Sequence, residues 1–109
     1  MATIEDFEKV ELRVGTVLSA VPFPEARVPA IKMEIDFGPL GIKRSSAQIT
    51  RRYSPETLIG RQVVAVVNFL PRRIAGFESE VLVLGGVPEK GDVILLGPDS
   101  HVPNGTPIA

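Results

Sequence analysis

Ile31, Met33, Ile35 and Phe37 alternate with Lys32, Glu34 and Asp36. A period of two puts one set of side chains on each face of an extended chain, so this stretch is a β-strand with one buried face. The same period runs through Val10, Leu12 and Val14, and after Gly15 the apolar positions resume out of phase at Val17 and Val21. That pattern predicts a long strand bent at a glycine, as barrels need at their corners. Residues 42–50 read as a strand whose Arg44, Ser46 and Gln48 share an outer, polar face. Residues 63–67 are apolar throughout and predict a strand covered on both sides, while residues 81–84 and 93–96 are two further short apolar strands.

Glycine and proline, ten of each, stand singly between these runs and act as turn punctuation. Thr3 and Asp6 have the spacing of a capping box, placing Ile4 and Phe7 on one face of a short helix. Ser54, Pro55 and Gly60 predict the cap, first position and stop of a second one. Residues 22–29, 70–80 and 88–92 are expected to be loops, and residues 103–106 a terminal turn. A helix between the third and fourth of five strands is the order of an all-β, five-stranded Greek-key OB-fold barrel, with an SH3-like barrel as the alternative. At 109 residues, the chain is expected to be one domain over residues 1–109. An OB barrel binds through strands two and three and through the loops after strands one and four. Those places hold Arg44, Ser46, Gln48, residues 23–29, and residues 71–80 with Arg72 and Arg73.

Charge is distributed unevenly. Lys43, Arg44, Arg51, Arg52, Arg61, Arg72 and Arg73 face the single acid Glu56 within residues 43–73, a net +6, so the remainder carries -7 in a chain of net charge -1. Such a block can form a basic face for an anionic partner, or its charges can mix in space with the acids. Without cysteine, thiolate zinc sites, disulfides and cysteine nucleophiles are excluded. His101 is the only histidine, Ser45 and Ser46 lie in no nucleophile-elbow pattern, and Gly85-Gly86 begins no phosphate loop. No catalysis, cofactor or metal is expected. Residues 1–7 carry acids where an export signal needs bases, and no apolar run approaches the roughly 20 residues of a membrane span, so a cytoplasmic protein without membrane insertion is expected.

Binding remains, to RNA or to polypeptide. With Phe37 and Phe69 assigned to the core, only Phe23, Tyr53 and Phe77 are left for base stacking. Arg44, Arg72 and Arg73 suit phosphates, and Ser46, Gln48 and Asn68 suit base edges or hydroxyls. The same groove, with Ile74 or Phe77 at its edge, equally suits an extended peptide.

Six segments carry a resemblance: Asp6-Phe7-Glu8-Lys9-Val10, Arg13-Val14-Gly15-Thr16-Val17, Pro22-Phe23-Pro24-Glu25-Ala26-Arg27, Ser45-Ser46-Ala47-Gln48-Ile49-Thr50, Val66-Val67-Asn68-Phe69 and Ser79-Glu80-Val81-Leu82-Val83-Leu84-Gly85. Together they resemble the CsaA family of export-related chaperones, built on a tRNA-binding domain of OB fold. The resemblance implies a homodimer that binds unfolded or export-bound polypeptides, with the secretion motor ATPase as a partner and a retained affinity for tRNA. It implies a ligand surface at Ser46, Gln48, Asn68, Arg72, Arg73, Ser79 and Glu80, to which Arg44 and Phe77 are added from the pattern. The alternative is a tRNA-binding accessory protein without chaperone activity. The sequence departs from the pattern of tRNA-binding relatives where Val81-Leu82 follows Ser79-Glu80, and from that of CsaA relatives, which often have glutamine at the position of Arg44 and proline at that of Leu70; Arg44 adds a positive charge. For the dimer, Ile4 and Phe7 of the first helix and Val93, Ile94, Leu95 and Leu96 of the last strand are the expected contacts, because each set has an apolar face to cover.

Overall fold

In chain order the protein forms α1 (Ile4–Glu8), β1 (Leu12–Pro22), β2 (Ile31–Asp36), β3 (Ile42–Ala47), α2 (Pro55–Leu58), β4 (Gln62–Val66), β5 (Arg72–Ile74), β6 (Phe77–Ser79), β7 (Leu82–Val83), β8 (Gly85–Glu89) and β9 (Asp92–Leu95). This computed structural model describes residues 1–109. Five strands make an antiparallel sheet in the order β3-β2-β1-β4-β7, and β5-β6 and β8-β9 are separate hairpins. The sheet curls into a nearly closed barrel with α2 between β3 and β4, which is an OB fold.

β1 serves two neighbours. Its first half pairs with β4, from Leu12 opposite Val66 to Thr16 opposite Gln62, and its second half pairs with β2, from Thr16 opposite Asp36 to Pro22 opposite Ile31. The register slips between Val17 and Ser19, so the bulge is at Leu18 and not at Gly15. The slip moves Ala20 into the core and turns Val21, expected inside, to solvent. Gly15 has another role. A Cβ there would lie 2.7 Å from Ile35 Cγ2 and 2.8 Å from the Phe37 ring, so the absence of a side chain lets β1 pass close over the core.

The alternating residues of β2 and its exit, Ile31, Met33, Ile35 and Phe37, are the centre of that core, with Val17, Ile49, Leu58, Val63, Ala65 and Val81 around them. α2 supplies Leu58, which is completely buried. Local chemistry holds the helix: Ser54 N–H donates to Thr57 Oγ1 at 3.1 Å, Pro55 opens it, and Gly60 leaves it with φ +87°. Gly60 N–H then donates to Val17 O, and Val17 N–H to Arg61 O, which ties the helix exit to β1. β4 is buried on both faces, as its unbroken apolar run predicts.

Several expectations are corrected. Phe69 is not in the core but 48% exposed, because β4 ends at Val66 and the chain leaves the barrel there. Residues 71–80 form no irregular loop. They make the β5-β6 hairpin, whose turn residues Ala75 and Gly76 both have positive φ, +45° and +82°, the conformation that suits the twist of two-residue hairpins. The segment between residues 85 and 92 is likewise a hairpin and not a simple connection. Past it, Val14 N–H donates to Thr106 O, Gly105 N–H to Val14 O and Ile108 N–H to Leu12 O, so the terminal segment lies along the part of β1 that β2 does not reach.

Replacing Leu58 by alanine should cost about 2–5 kcal/mol, because α2 has no other buried side chain. Urea unfolding checks this: the midpoint should fall at an unchanged m-value, and an unmoved midpoint would show that α2 does not anchor the barrel.

Candidate binding groove

The barrel closes between β3 and the segment after β6. Glu80 N–H donates to Arg44 O at 2.8 Å, and Arg44 N–H donates to Glu80 Oε1 at 3.0 Å. Ser46 N–H donates to Ser79 Oγ at 2.9 Å, and Ser45 Oγ donates to Val81 O at 3.3 Å. A serine hydroxyl and a glutamate carboxylate thus stand where a neighbouring strand would place carbonyls. Ser79 is buried, and its hydroxyl and the Glu80 carboxylate are engaged within the chain. Both residues, expected at the ligand surface, act as closures of the barrel.

Beyond Ser46 the closure stops and a groove of about 720 Å³ opens. Ser46, Ala47, Gln48 and Ile49 form its floor, residues 25–28 and Ala30 one wall, and Arg72, Arg73, Ile74 and Ala75 of the hairpin another. Leu82, Val83 and Val93 complete an apolar base, with Gly91 beside them. Arg72, Arg73, Ser46 and Gln48, distant in sequence, therefore meet here. Arg27 and Arg72 have no carboxylate within ion-pair distance. Arg73 lies 3.6 Å from Glu78, an exposed pair of little energetic weight.

Arg44 and Phe77 stand outside this lining, in a cluster on the outer face of β2 and β3. The Phe23 and Phe77 rings meet edge to face with centroids 5.6 Å apart. Lys32 Nζ lies 4.9 Å from one centroid and 5.4 Å from the other, and the Arg44 guanidinium carbon lies 5.3 Å from Phe77. Lys32 is the residue that the sequence-based site omitted. Its signal is the β2-β3 register, which sets it opposite Ser46. Phe23 is buried, and Tyr53 has the Arg61 guanidinium over its ring and its hydroxyl accepting from Leu95 N–H, so neither offers the stacking face expected of it. Asn68 is also elsewhere. Its Oδ1 accepts from Glu11 N–H at 2.9 Å and its Nδ2 donates to Lys9 O at 2.8 Å, which clips the segment before β1 to the end of β4.

The basic block does not form one face. Arg51 pairs with Glu89 at 2.6 Å, Arg52 with Asp92 through two hydrogen bonds, and Arg61 lies 5.3 Å over the Tyr53 ring. Charges that look unbalanced in sequence are balanced by acids from the β8-β9 hairpin. These pairs, with the Tyr53 bond to Leu95, hold the hairpin so that Gly91 and Val93 border the groove. His101 lines a separate polar cleft of about 440 Å³ with Arg61 and Asp99. No three His, Asp or Glu side chains gather as metal ligands, and no helix is long and apolar enough to cross a membrane.

Of the residues expected at an interface, Val93 and Leu95 pack against the core, whereas Ile94 and Leu96 alternate outward. Ile4 is 79% exposed and Phe7 is also exposed, and α1, despite its complete capping box, buries none of its residues.

The structure defines a class: an OB-fold binding module with an apolar, arginine-rimmed groove. Residues 12–107 match the family described as a putative tRNA binding domain. The structure of chaperone CsaA from Bacillus anthracis str. Ames is 68% identical, with a TM-score of 0.97 over 100% of this chain and 99% of that one. That of the CsaA chaperone protein from Picrophilus torridus is 47% identical, with a TM-score of 0.92 and all of both chains covered. The chain belongs to the tRNA-binding-domain family and, within it, to the CsaA group. Methionine–tRNA ligase 1 of Bacillus anthracis is 41% identical over 106 residues, 97% of this chain, which spans only 16% of the ligase's length.

Hydrogen bonding from Arg52 holds the Asp92 carboxyl below its ordinary value of 3.8, against the opposing effect of burial. A folded-state pKa below the unfolded one contributes stability that is complete above the unfolded value and is lost as pH falls through the folded one. The stability gap between the parent and Asp92→Asn should therefore be constant near neutrality and shrink on acidification below about pH 4. Urea unfolding at a series of pH values reads it; a gap independent of pH would remove Asp92 from the acid response.

Proposed function

We propose that the protein is a homodimeric chaperone that holds unfolded or export-bound polypeptide segments in this groove, and that the arginine rim binds tRNA more weakly. The apolar base under a polar rim carries the reading: Ile74, Leu82, Val83 and Val93 offer burial to side chains of an extended chain, and no aromatic residue lines the groove to stack a base. Two similar proteins bear the name chaperone. The unpaired Arg27 and Arg72, together with the family match, favour the second reading, a tRNA-binding accessory protein without chaperone activity.

Each arginine that neutralises a phosphate should contribute about 0.7–0.9 to the slope of log affinity for tRNA against log salt, so Arg72→Ala should flatten it by that amount. Binding of a reduced, alkylated polypeptide should depend little on salt and should weaken in Ile74→Ser. Fluorescence anisotropy measures both. If unfolded polypeptide fails to bind at any salt while tRNA binds with a steep slope that Arg72→Ala reduces, the second reading replaces the first.

The homodimer rests on α1. A five-residue helix is too short to persist alone, and its Ile4 and Phe7 find no cover in their own chain. Asn68 sets the segment after α1 against the end of β4, where Phe69 and Leu70 are exposed as well. Sedimentation equilibrium should give twice the 11.7 kDa chain mass, and Phe7→Asp should shift it toward the single chain; a single-chain mass for the parent protein at micromolar concentration would exclude the dimer.

A further inference from the structure

We propose that polypeptide enters the groove as an added β-strand, its backbone hydrogen-bonded to the open end of the outer edge of β3 at Ser46 and Gln48. This rests on the polypeptide reading above and specifies how the ligand is held.

β3 is the last strand of its sheet, with β2 on one side only. In an antiparallel pair, backbone groups face the neighbour at every second residue and face away at those between. The Arg44 N–H and C=O and the Ser46 N–H all bond to Glu80 or Ser79, so residues 44 and 46 face away from β2. The covering of this edge runs out along the strand. Arg44 has both groups satisfied, and Ser46 has its N–H on the Ser79 hydroxyl while its C=O points the same way with no partner. Gln48, one residue past the end of β3 and exposed in the groove floor, has neither its N–H nor its C=O bonded. An acceptor followed two residues later by a donor and an acceptor is the pattern that a strand presents to an incoming strand.

The surroundings match an extended peptide. Side chains on alternate residues of an added strand would fall on Ile74 and Leu82 or point to solvent. Arg27 and Arg72, unpaired at the rim, complement an acidic residue on the ligand. The occupant is thus an extended segment of alternating apolar and polar residues with a carboxylate among them. RNA has hydroxyl and base amino donors but no repeating backbone N–H and C=O to match both Ser46 and Gln48.

The test uses a short acetylated, amidated peptide of alternating valine and threonine with one central aspartate, and a set of copies each N-methylated at one peptide bond. Calorimetric titration should show losses of about tenfold at two positions two residues apart, whose N–H groups meet the Ser46 and Gln48 carbonyls, and little effect elsewhere. Gln48→Pro removes the donor from the protein and should weaken the unmodified peptide by a similar factor. The partner of that donor is a ligand carbonyl, so replacing the ligand's peptide bonds one at a time by esters, whose carbonyls are weaker acceptors, should be non-additive with Gln48→Pro at one register of the ligand only. Binding that tolerates methylation everywhere, or loses equally at all positions, overturns the added strand and leaves the groove as a polypeptide site. No binding of the unmodified peptide or of unfolded polypeptide, with tRNA still bound, overturns both.

Discussion

The outer edge of β3 is satisfied by side chains for part of its length and by nothing for the rest. A sixth strand running along it would close the barrel and erase the groove. Instead Ser79 and Glu80 supply a hydroxyl and a carboxylate to the backbone of Ser46 and Arg44, and the chain then turns into β7. Side-chain acceptors do this without requiring β6 to stay in register, so the β5-β6 hairpin is free to stand away from the barrel as a wall. Arg72 and Arg73 owe their position at the groove to that divergence.

β1 provides the rigidity that makes such an open edge affordable. The first half of β1 has β4 and the terminal segment beside it and the second half pairs with β2, and the bulge at Leu18, just inside the β2 pairing, changes which side chains face inward. Gly15 lets this strand lie against Ile35 and Phe37. The β8-β9 hairpin is held by charge: Arg51 and Arg52 are clamped to Glu89 and Asp92, and Asp92 is buried, so its pairing with Arg52 satisfies a carboxylate that would otherwise be costly to desolvate. What looks like a basic tract in sequence is thereby divided between structural pairs and the two arginines at the groove.

Elements whose signal is local were legible beforehand. The alternation around β2, the capping box of α1 and the Ser54-Pro55 start of α2 depend on neighbours within a few residues, and each stands where its pattern predicts. Val21 and Phe69 were misplaced for one reason, that burial there depends on a bulge and on a strand end set by distant partners. The β5-β6 hairpin was missed because its turn uses Ala75 at positive φ, where glycine or asparagine is the usual sign. At the site, alternation put Arg44, Ser46 and Gln48 on one face, and of these Ser46 and Gln48 line the groove while Arg44 stands outside it. It had no means of showing that Asn68 is spent on Lys9 and Glu11, or that Ser79 closes the barrel.

By itself the sequence determined that the chain is a turn-punctuated β-barrel, that the alternating residues of β2 lie at the centre of its core, and which group of proteins it resembles, because periodicity and motif spacing are properties of contiguous residues. Only the tertiary structure decided which polar groups remain available. A serine, an asparagine or an arginine has the same donors and acceptors wherever it stands. Whether these face a ligand or are already bonded depends on what lies across from them, and for the groove's closures and the Asn68 clip those partners are from 33 to 59 residues away along the chain, as between Ser46 and Ser79 at 33 and Asn68 and Lys9 at 59.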